Sequence, residues 1–416
     1  MKKIFAILIA FCTLSVFFSC NNKAKNDIQK GIWRATLTTE LGAEIPFNFE
    51  VSDSAGKKQL DIINGKERFR VNEITIKNDS VHIQMPLFDS EIKAVFDGKN
   101  LIGKWIKHLA AENVAMEFKA EPDASWRFFK TEIKTEKDLS GRWSATFISQ
   151  DKKDTTVAVG EFEQKGARLT GTFLTTTGDY RFLEGTVSND KLYLSCFDGS
   201  NAYLFTGKLH NDNTITNGSF YSGFSSVENW TAKKDEHAIL PDAYSLTSLK
   251  PGISTIDFTF PDLNGEKVSL SNNRFKNKVV IIQFFGSWCP NCMDETAFLA
   301  PFYKKYKNEG VEVIGLAYER SRDFKIAKRN IERLKKRFDV TYDLLITGYT
   351  KDKGEVVKSL PMMNNFEAFP TTMVIGKDGK VKKIHTGFSG PGTGSHYTEF
   401  VNEFEESIKT LIAENN

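Results

Sequence analysis

Residues 279–292 read Val-Val-Ile-Ile-Gln-Phe-Phe-Gly-Ser-Trp-Cys-Pro-Asn-Cys, and this stretch decides the fold of the C-terminal part of the chain. The apolar run from Val279 to Phe285 predicts a buried strand, and the amphipathic stretch that begins after Cys289 predicts a helix. Cys289 fits the N-cap of this helix. Pro290 fits its first position, where a proline has no backbone hydrogen bond to lose. The stretch therefore places two cysteines at a strand-to-helix junction.

The position of Cys289 at a helix N-terminus suits a reactive thiol. The thiolate is the attacking form of cysteine, and the unpaired N–H groups and positive dipole end of a helix lower the pKa of a thiol. We therefore expect Cys289 to be the solvent-facing nucleophile. Cys292, one helical turn deeper, is expected to resolve the mixed disulfide that Cys289 forms.

Three other uses of a Cys-x-x-Cys pair are less consistent with this sequence. A structural zinc site needs a second pair of ligands, which Cys12, Cys20, Cys196 and the scattered histidines do not supply at ligand spacing. A c-type haem needs histidine directly after the second cysteine, where Met293 stands. A structural disulfide between residues three apart would be strained and easily reduced, which again describes an exchange catalyst. No metal or organic cofactor is therefore expected.

Four segments between residues 253 and 412 form a specific pattern. They are 258–270, which reads Phe-Thr-Phe-Pro-Asp-Leu-Asn-Gly-Glu-Lys-Val-Ser-Leu; 279–292 together with Glu295; 310–319; and 369–381, which begins Phe-Pro-Thr-Thr. The pattern resembles the TlpA-like (ResA-like) extracytoplasmic thiol:disulfide oxidoreductases of bacteria, within the thioredoxin superfamily. The resemblance implies an α/β thioredoxin-like domain over 253–412 that exchanges thiols and disulfides through its cysteine pair.

The resemblance also implies a proton acceptor outside the cysteine pair. Thioredoxin has a buried aspartate six residues before its first cysteine, and Gln283 stands there instead and cannot take a proton. The family's glutamate after the following strand corresponds to Glu319, which is expected to lie within reach of the dithiol. The alternative is an exposed residue of a charged loop. Glu295 matches the family's glutamate three residues past the second cysteine.

Pro370 and Trp288 complete the expected site. By resemblance, Pro370 follows a cis peptide bond and faces the dithiol, where free backbone groups can pair with an extended substrate segment. The alternative is a trans proline that opens an edge strand. Trp288 is expected to shield one side of the Cys289 sulfur, and the alternative is an ordinary core tryptophan.

The N-terminus predicts export and a lipid anchor. Lys2 and Lys3 precede an apolar run that is too short to span a bilayer comfortably, so residues 1–19 are interpreted as a signal peptide, with a retained signal anchor as the alternative. The run ends at Phe-Ser-Cys20, which resembles the bacterial lipobox, so Cys20 is the expected lipidated residue and 20–30 a tether. The protein would then work in the cell envelope, facing the periplasm. By resemblance, its electrons would come from a membrane-embedded dithiol.

The cysteine count and the charge of the chain limit its partners and its internal cross-links. After loss of Cys12 with the signal and of Cys20 to lipid, only Cys196 remains beside the pair, and it shares the apolar phase of Leu192 and Leu194, which predicts a buried core residue. Lys and Arg number 56 against 53 Asp and Glu, so no nucleic acid or other polyanion is expected as a partner.

The 416 residues predict two or three domains, and the front half predicts two tandem antiparallel β units, 31–120 and 141–234. Gly31-Ile-Trp-Arg-Ala-Thr recurs about 110 residues later as Gly141-Arg-Trp-Ser-Ala-Thr, which indicates a repeat. The Gly-x-Trp opening resembles small lipocalin-like barrels, so barrel-like units are expected. Residues 235–252 are interpreted as a linker. The β units carry no catalytic constellation and are interpreted as a spacer or docking platform rather than a small-molecule site.

The sequence therefore favours a lipid-anchored thiol:disulfide oxidoreductase that reduces exported proteins. Two alternatives remain. A peroxiredoxin shares the fold, but its Pro-x-x-x-Thr-x-x-Cys loop is absent, since Ile282 and Gly286 occupy those positions. A binding lipoprotein would use its β units and keep the redox fold as a relic.

Overall fold

The computed structural model describes residues 27–109, 112–131, 135–211 and 213–414. The predictions of a signal peptide over 1–19 and of lipid at Cys20 lie outside the described residues. Among the residues that the structure does describe, no helix is both long enough and apolar enough to cross a membrane.

The first β unit is one antiparallel sheet of nine strands. The strands are β1 (Gly31–Thr38), β2 (Glu44–Ser54), β3 (Lys57–Asn64), β4 (Glu67–Val71), β5 (Glu73–Lys77), β6 (Ser80–Gln84), β7 (Ser90–Asp97), β8 (Asn100–Lys107) and β9 (Val114–Pro122). Their order in the sheet is β4-β3-β2-β1-β9-β8-β7-β6-β5. Strands that are adjacent in the sheet are also consecutive in the sequence, except for β1 and β9. Strands β4 and β5 do not pair with each other and form the two edges.

The second β unit is a closed barrel. Its strands are β10 (Gly141–Ser149), β11 (Thr155–Lys165), β12 (Arg168–Thr175), β13 (Gly178–Asp179), β14 (Leu183–Ser188), β15 (Lys191–Phe197), β16 (Ala202–His210), β17 (Thr214–Ser222) and β18 (Ser226–Lys234). The order is β11-β10-β18-β17-β16-β15-β14-β12-β13, and β11 also pairs with β12. This extra pairing joins the ends of the sheet. The expected all-β region with barrel-like units is therefore confirmed.

The two β units share local geometry at equivalent positions. Trp33 and Trp143 are both buried, and each indole N–H donates to the carbonyl four residues earlier, of Gln29 and Leu139, at 2.9 Å in both units. The barrel interior is filled with aromatic rings, among which Phe205 and Phe220 stack with centroids 4.2 Å apart.

Cys196 lies in the core of the second β unit, as predicted, and it is unpaired. Burial raises the pKa of its thiol well above the usual value. A protonated thiol is a poor nucleophile, so Cys196 is a packing residue.

The redox domain has a five-stranded mixed sheet with helices packed on it. Its remaining elements are β19 (Ser248–Leu249), β20 (Thr259–Pro261), β21 (Lys267–Ser269), β22 (Val279–Phe285), α1 (Pro290–Tyr306), β23 (Val311–Glu319), α2 (Phe324–Phe338), β24 (Asp343–Thr350), α3 (Lys353–Ser359), β25 (Met363–Asn365), β26 (Thr371–Ile375), β27 (Val381–Thr386) and α4 (Ser395–Ala413). The sheet order is β24-β23-β22-β26-β27. Strands β22, β23 and β24 are parallel, and β26 is antiparallel to β22. The expected α/β thioredoxin-like fold is confirmed.

The segment between the second β unit and the redox domain lies along the redox domain. The short strand β19 pairs with β25, and the Thr386 N–H donates to the Ala243 carbonyl at 3.1 Å. The Lys250 N–H likewise donates to the Met362 carbonyl at 2.9 Å. Because of these hydrogen bonds, the segment packs against the redox domain along much of its length.

Candidate active site

The cysteine pair lies at the N-terminus of α1, directly after the central strand β22. Cys289 is the N-cap residue, and its sulfur accepts a hydrogen bond from the Cys292 N–H at 3.1 Å. Pro290 occupies the first helical turn. The two cysteines form a disulfide with their Cα atoms 5.2 Å apart. The Cys292 N–H thus points at the Cys289 sulfur, where this hydrogen bond and the positive end of the helix dipole would stabilise a thiolate.

Both sulfur-bearing residues are buried. Cys289 is 5% exposed and Cys292 is fully buried. The expectation of a solvent-facing Cys289 is therefore not met in the full chain, because the β units pack over the N-terminus of α1.

Trp288 packs beside the dithiol. Its indole N–H donates to the Tyr318 carbonyl at 2.9 Å, and its ring meets that of Phe369 edge-on at 5.6 Å. The Arg320 guanidinium lies 5.5 Å from the Trp288 ring centroid. Gly286 permits this position, because a Cβ there would lie 2.1 Å from the indole nitrogen.

Pro370 follows Phe369, whose ring contacts that of Trp288. The Phe369–Pro370 peptide bond is cis, and the Pro370 carbonyl accepts from the Gly387 N–H at 2.8 Å. Strand β26 begins at the next residue and pairs with β22. The Phe369–Pro370 turn is therefore close to the redox loop, a name used here for residues 288–292.

Glu319 ends β23 and is held by Ser287, two residues before Cys289. Its carboxylate accepts hydrogen bonds from the Ser287 N–H at 2.8 Å and from the Ser287 hydroxyl at 2.7 Å. Burial raises the pKa of Glu319 above its usual value, while these two hydrogen bonds oppose the shift. Glu319 is thus a buried carboxylate whose hydrogen bonds end at the base of the redox loop.

A second buried carboxylate, Glu295, lies on the inner side of α1. It accepts hydrogen bonds from the Gln283 amide at 2.9 Å and from the Thr372 hydroxyl. Gln283 also reaches the Cys292 carbonyl at 3.5 Å. Burial raises the pKa of Glu295 to about 7, although the bonds from Thr372 and Gln283 lower it. This pKa lies where a group can take up and release protons at neutral pH.

The sequence pattern matches Glu295 to the family but does not indicate a role for it. A signal was present, because Glu295 is three residues after Cys292 and residues so spaced share one face of a helix. On that face, Glu295 accepts a hydrogen bond from the Gln283 amide. Gln283 is polar, but unlike the aspartate of thioredoxin at this position it cannot carry a proton.

The second β unit contributes residues that sequence reasoning missed. Arg181, between β13 and β14, donates to the Pro290 carbonyl at 3.3 Å and forms an ion pair with Asp294 of α1. The Asn291 amide donates to the Asp179 carbonyl at 3.2 Å, and the Ser200 hydroxyl donates to the Trp288 carbonyl at 3.3 Å. No local pattern marks these residues, since their partners lie about a hundred residues away.

A cleft of about 170 Å³ opens beside the redox loop, between the first β unit and the redox domain. Ser287, Trp288 and Glu319 line one wall, and Phe88 and His108 line the other. The cleft reaches the base of the loop without displacement of the second β unit.

The fold and the buried dithiol at a helix N-terminus define a redox protein of the thioredoxin superfamily, and comparisons with known proteins agree. A family model described as Redoxin matches residues 250–399. The thiol-disulfide oxidoreductase ResA of Geobacillus thermodenitrificans is 31% identical over 143 residues, which are 34% of this chain and 72% of that protein. ResA of Bacillus subtilis is 29% identical over 140 residues, which are 34% of this chain and 69% of that protein.

Solved structures also match part of the chain. A thioredoxin-family thiol:disulfide interchange protein from Chlorobium tepidum is 18% identical, with a TM-score of 0.30, and the match covers 38% of this chain and 96% of that one. A thiol-disulfide oxidoreductase from Bacteroides fragilis is 23% identical, with a TM-score of 0.27, over 36% of this chain and 99% of that one. On the sequence relationship, the chain belongs to the ResA family of thiol-disulfide oxidoreductases, and it is an oxidoreductase.

Proposed function

We propose that this protein is an extracytoplasmic, lipid-anchored enzyme that reduces disulfides of exported proteins through Cys289 and Cys292. The observation that carries the proposal is the hydrogen bond from the Cys292 N–H to the Cys289 sulfur at the start of α1. This contact stabilises negative charge on Cys289, so Cys289 is the better nucleophile and the better leaving group of the pair. No metal or organic cofactor takes part.

In the proposed reaction, the Cys289 thiolate attacks one sulfur of a client disulfide. The client's S–S bond breaks, its other sulfur leaves as a thiolate, and a mixed disulfide forms at Cys289. The Cys292 thiol then loses its proton and attacks the Cys289 sulfur, which releases the second client thiolate. Two electrons have passed from the dithiol to the client, and the disulfide between Cys289 and Cys292 remains.

Two carboxylates are positioned to handle the proton of the second step. Glu295 lies on the Cys292 side of α1 with a pKa of about 7. Glu319 lies on the Ser287 side, where burial also raises its pKa. We assign the proton of Cys292 to Glu295, and we keep Glu319 as a second acceptor that acts through Ser287.

The anchor and the electron donor complete the proposal. Lipid on Cys20 would hold the protein at a membrane in the cell envelope, facing the periplasm, where a membrane dithiol could reduce the Cys289–Cys292 disulfide. Replacement of Cys20 by serine should release the mature protein from the membrane fraction. Retention in that fraction would contradict the lipid anchor.

Trapping of mixed disulfides tests the assignment of the two cysteines. Cys292→Ser should accumulate covalent complexes with protein clients, because Cys289 attacks and nothing resolves the product. Cys289→Ser should trap almost none. Equal trapping by both variants would overturn the assignment, and peroxide consumption without insulin reduction would favour a peroxidase instead.

A further inference from the structure

The second β unit covers the outer rim of the redox loop. Three polar groups of the rim are hydrogen-bonded to the second β unit: the Trp288 carbonyl to Ser200, the Pro290 carbonyl to Arg181, and the Asn291 amide to Asp179. These are the polar groups that a protein client would meet first as it approached Cys289.

The fit leaves no room for a further chain. A Cβ at Gly178 would lie 1.8 Å from the amide nitrogen of Asn291, and a Cβ at Gly392 would lie 2.9 Å from the Arg181 carbonyl. Cys289 itself is 5% exposed. Thiol–disulfide exchange requires direct contact between sulfurs, so a protein partner cannot reach Cys289 while the second β unit stays in place.

Arg181 holds this arrangement together. Its side chain is 2% exposed and forms ion pairs with Glu67 of the first β unit, Asp198 of the second at 3.4 Å, and Asp294 of the redox domain. One guanidinium therefore ties all three parts of the chain. Arg181 also has a φ of 59°, in the left-handed region that an arginine adopts only where its contacts hold it.

Loss of the guanidinium would push the three parts of the chain apart. Glu67, Asp198 and Asp294 would then face one another in a buried site without the guanidinium that pairs with all three, and burial of carboxylates that have lost their partner is strongly unfavourable. Arg181 thus contacts the redox loop, and its positive charge holds the second β unit against that loop.

We propose that Arg181 is a specificity-determining residue of the redox site: it latches the second β unit over the redox loop, so that small thiols react with the dithiol readily and protein partners react only when the latch opens. The proposal rests on the proposed function, in which Cys289 is the reacting sulfur. The cleft of about 170 Å³ lined by Ser287 and Trp288 ends at the residue before Cys289, and in the proposal a small dithiol approaches the disulfide from this cleft, which is too small to admit a folded protein.

The test measures reduction of the Cys289–Cys292 disulfide in the full chain by two reductants. One is dithiothreitol and the other is reduced thioredoxin, a protein dithiol. In both reactions a reductant thiolate attacks the Cys289 sulfur, Cys292 leaves as a thiolate, and the second reductant thiol releases Cys289, so that two electrons enter the pair. The ratio of the two rate constants reports access, because the chemistry is shared.

Two variants open the latch by different means. Arg181→Met removes the charge of the guanidinium. Gly392→Ala instead inserts a methyl group against the Arg181 backbone and keeps Arg181 and its three acidic partners unchanged. Arg168→Met is the matched control, since Arg168 pairs with Glu184 inside the second β unit at 2.7 Å. The rate with thioredoxin should rise at least about tenfold in both latch variants, because a protein reacts only with the open fraction. In Gly392→Ala, which keeps every side chain of the redox site, the rate with dithiothreitol should change less than about threefold, and the control should match the wild type with both reductants.

Three results would overturn the proposal. They are an unchanged thioredoxin rate in Gly392→Ala, an equal rise of both rates in the latch variants, or a rise in Arg168→Met as large as in Arg181→Met. An equal rise would mean that Arg181 alters the dithiol itself and not access to it. Failure of the proposed function is separate, because a dithiol that exchanges with neither reductant in any variant would contradict the function and leave no rate for the latch to control.

Discussion

The inner face of the redox loop packs on the redox domain itself, whereas its outer face packs on the second β unit. The inner contacts are neutral hydrogen bonds of Gln283 and Thr296 around the Cys292 carbonyl, with Glu295 behind them. The outer contacts are the hydrogen bonds made with Ser200, Arg181 and Asp179. Arg181 also forms buried ion pairs with Glu67 and Asp294. In our proposals, the inner face accepts the proton of Cys292 and the outer face controls contact between Cys289 and its partners.

The difference teaches which parts of the site belong to the family and which belong to this chain. The inner face lies within residues 250–399, which match the Redoxin family model. The outer face is supplied by Asp179, Arg181 and Ser200 of the second β unit, which lie outside that match. Changes on the inner face should alter the chemistry of exchange. Changes on the outer face should alter stability and access, and the predictions below test that division.

The largest expected effect is on stability, at the outer face. Arg181→Met should lower the free energy of unfolding by about 3–5 kcal/mol, because it leaves buried carboxylates without their partner. Arg168→Met should cost less than about 1 kcal/mol, since the Arg168 side chain is 52% exposed and solvent screens its pair with Glu184. Urea unfolding at pH 7 measures both, and equal losses would mean that the Arg181 cluster is no stronger than a surface pair.

A smaller effect of opposite sign is expected at the inner face. The pKa of Glu295 is about 7 in the folded protein and near its usual value of 4.5 in the unfolded chain. The protonated carboxyl is therefore favoured by folding: its contribution is complete below pH 4.5 and is lost as the pH rises through 7. Glu295→Gln should stabilise the oxidised protein by up to about 3 kcal/mol at pH 8 and by little at pH 4. A gain that does not depend on pH would contradict the assigned pKa.

The same substitution should slow the reaction. Glu295→Gln removes the carboxylate to which we assign the proton of Cys292, so insulin reduction should fall by about a hundredfold and lose its inflection near pH 7. Glu312→Gln is the matched control, because Glu312 lies on β23 and bonds to the Tyr303 hydroxyl at 3.1 Å. If the control slows as much as Glu295→Gln, the loss reflects the fold and not the proton.

The inner face could largely be predicted from the sequence, and the outer face could not. The apolar run of β22, the proline after Cys289 and the spacing of Glu295 are local signals that fix a strand, a helix start and a helix face. Arg181 forms an ion pair with Asp294, which is more than a hundred residues away in the sequence. This contact depends on the closure of the barrel in the second β unit and on the packing of the two β units against the redox domain. No periodicity encodes such a contact.

The repeat shows the same limit at the level of the fold. The matched Gly-x-Trp openings predicted two similar β units, and Trp33 and Trp143 do make the same hydrogen bond. The sequence did not indicate that β12 would pair with both β11 and β14, closing one barrel, while β4 and β5 leave the first sheet with two edges. Strand pairing at closure depends on register and twist between segments far apart in the chain.

The smallest expected effect separates the two carboxylates of the site. Glu319 holds the Ser287 N–H and hydroxyl, so its influence on the dithiol passes through the backbone at the base of the redox loop. Glu319→Gln should slow exchange only by about threefold and should shift the pH profile, because a neutral amide no longer titrates above the usual carboxyl range. Ser287→Ala is the control that removes the hydroxyl contact and keeps the carboxylate. If the exchange rate falls as far in Glu319→Gln as in Glu295→Gln, our assignment is wrong and Glu319 is the main acceptor of the Cys292 proton. Identical pH profiles for Glu319→Gln and the wild type would leave Glu319 with a structural role alone.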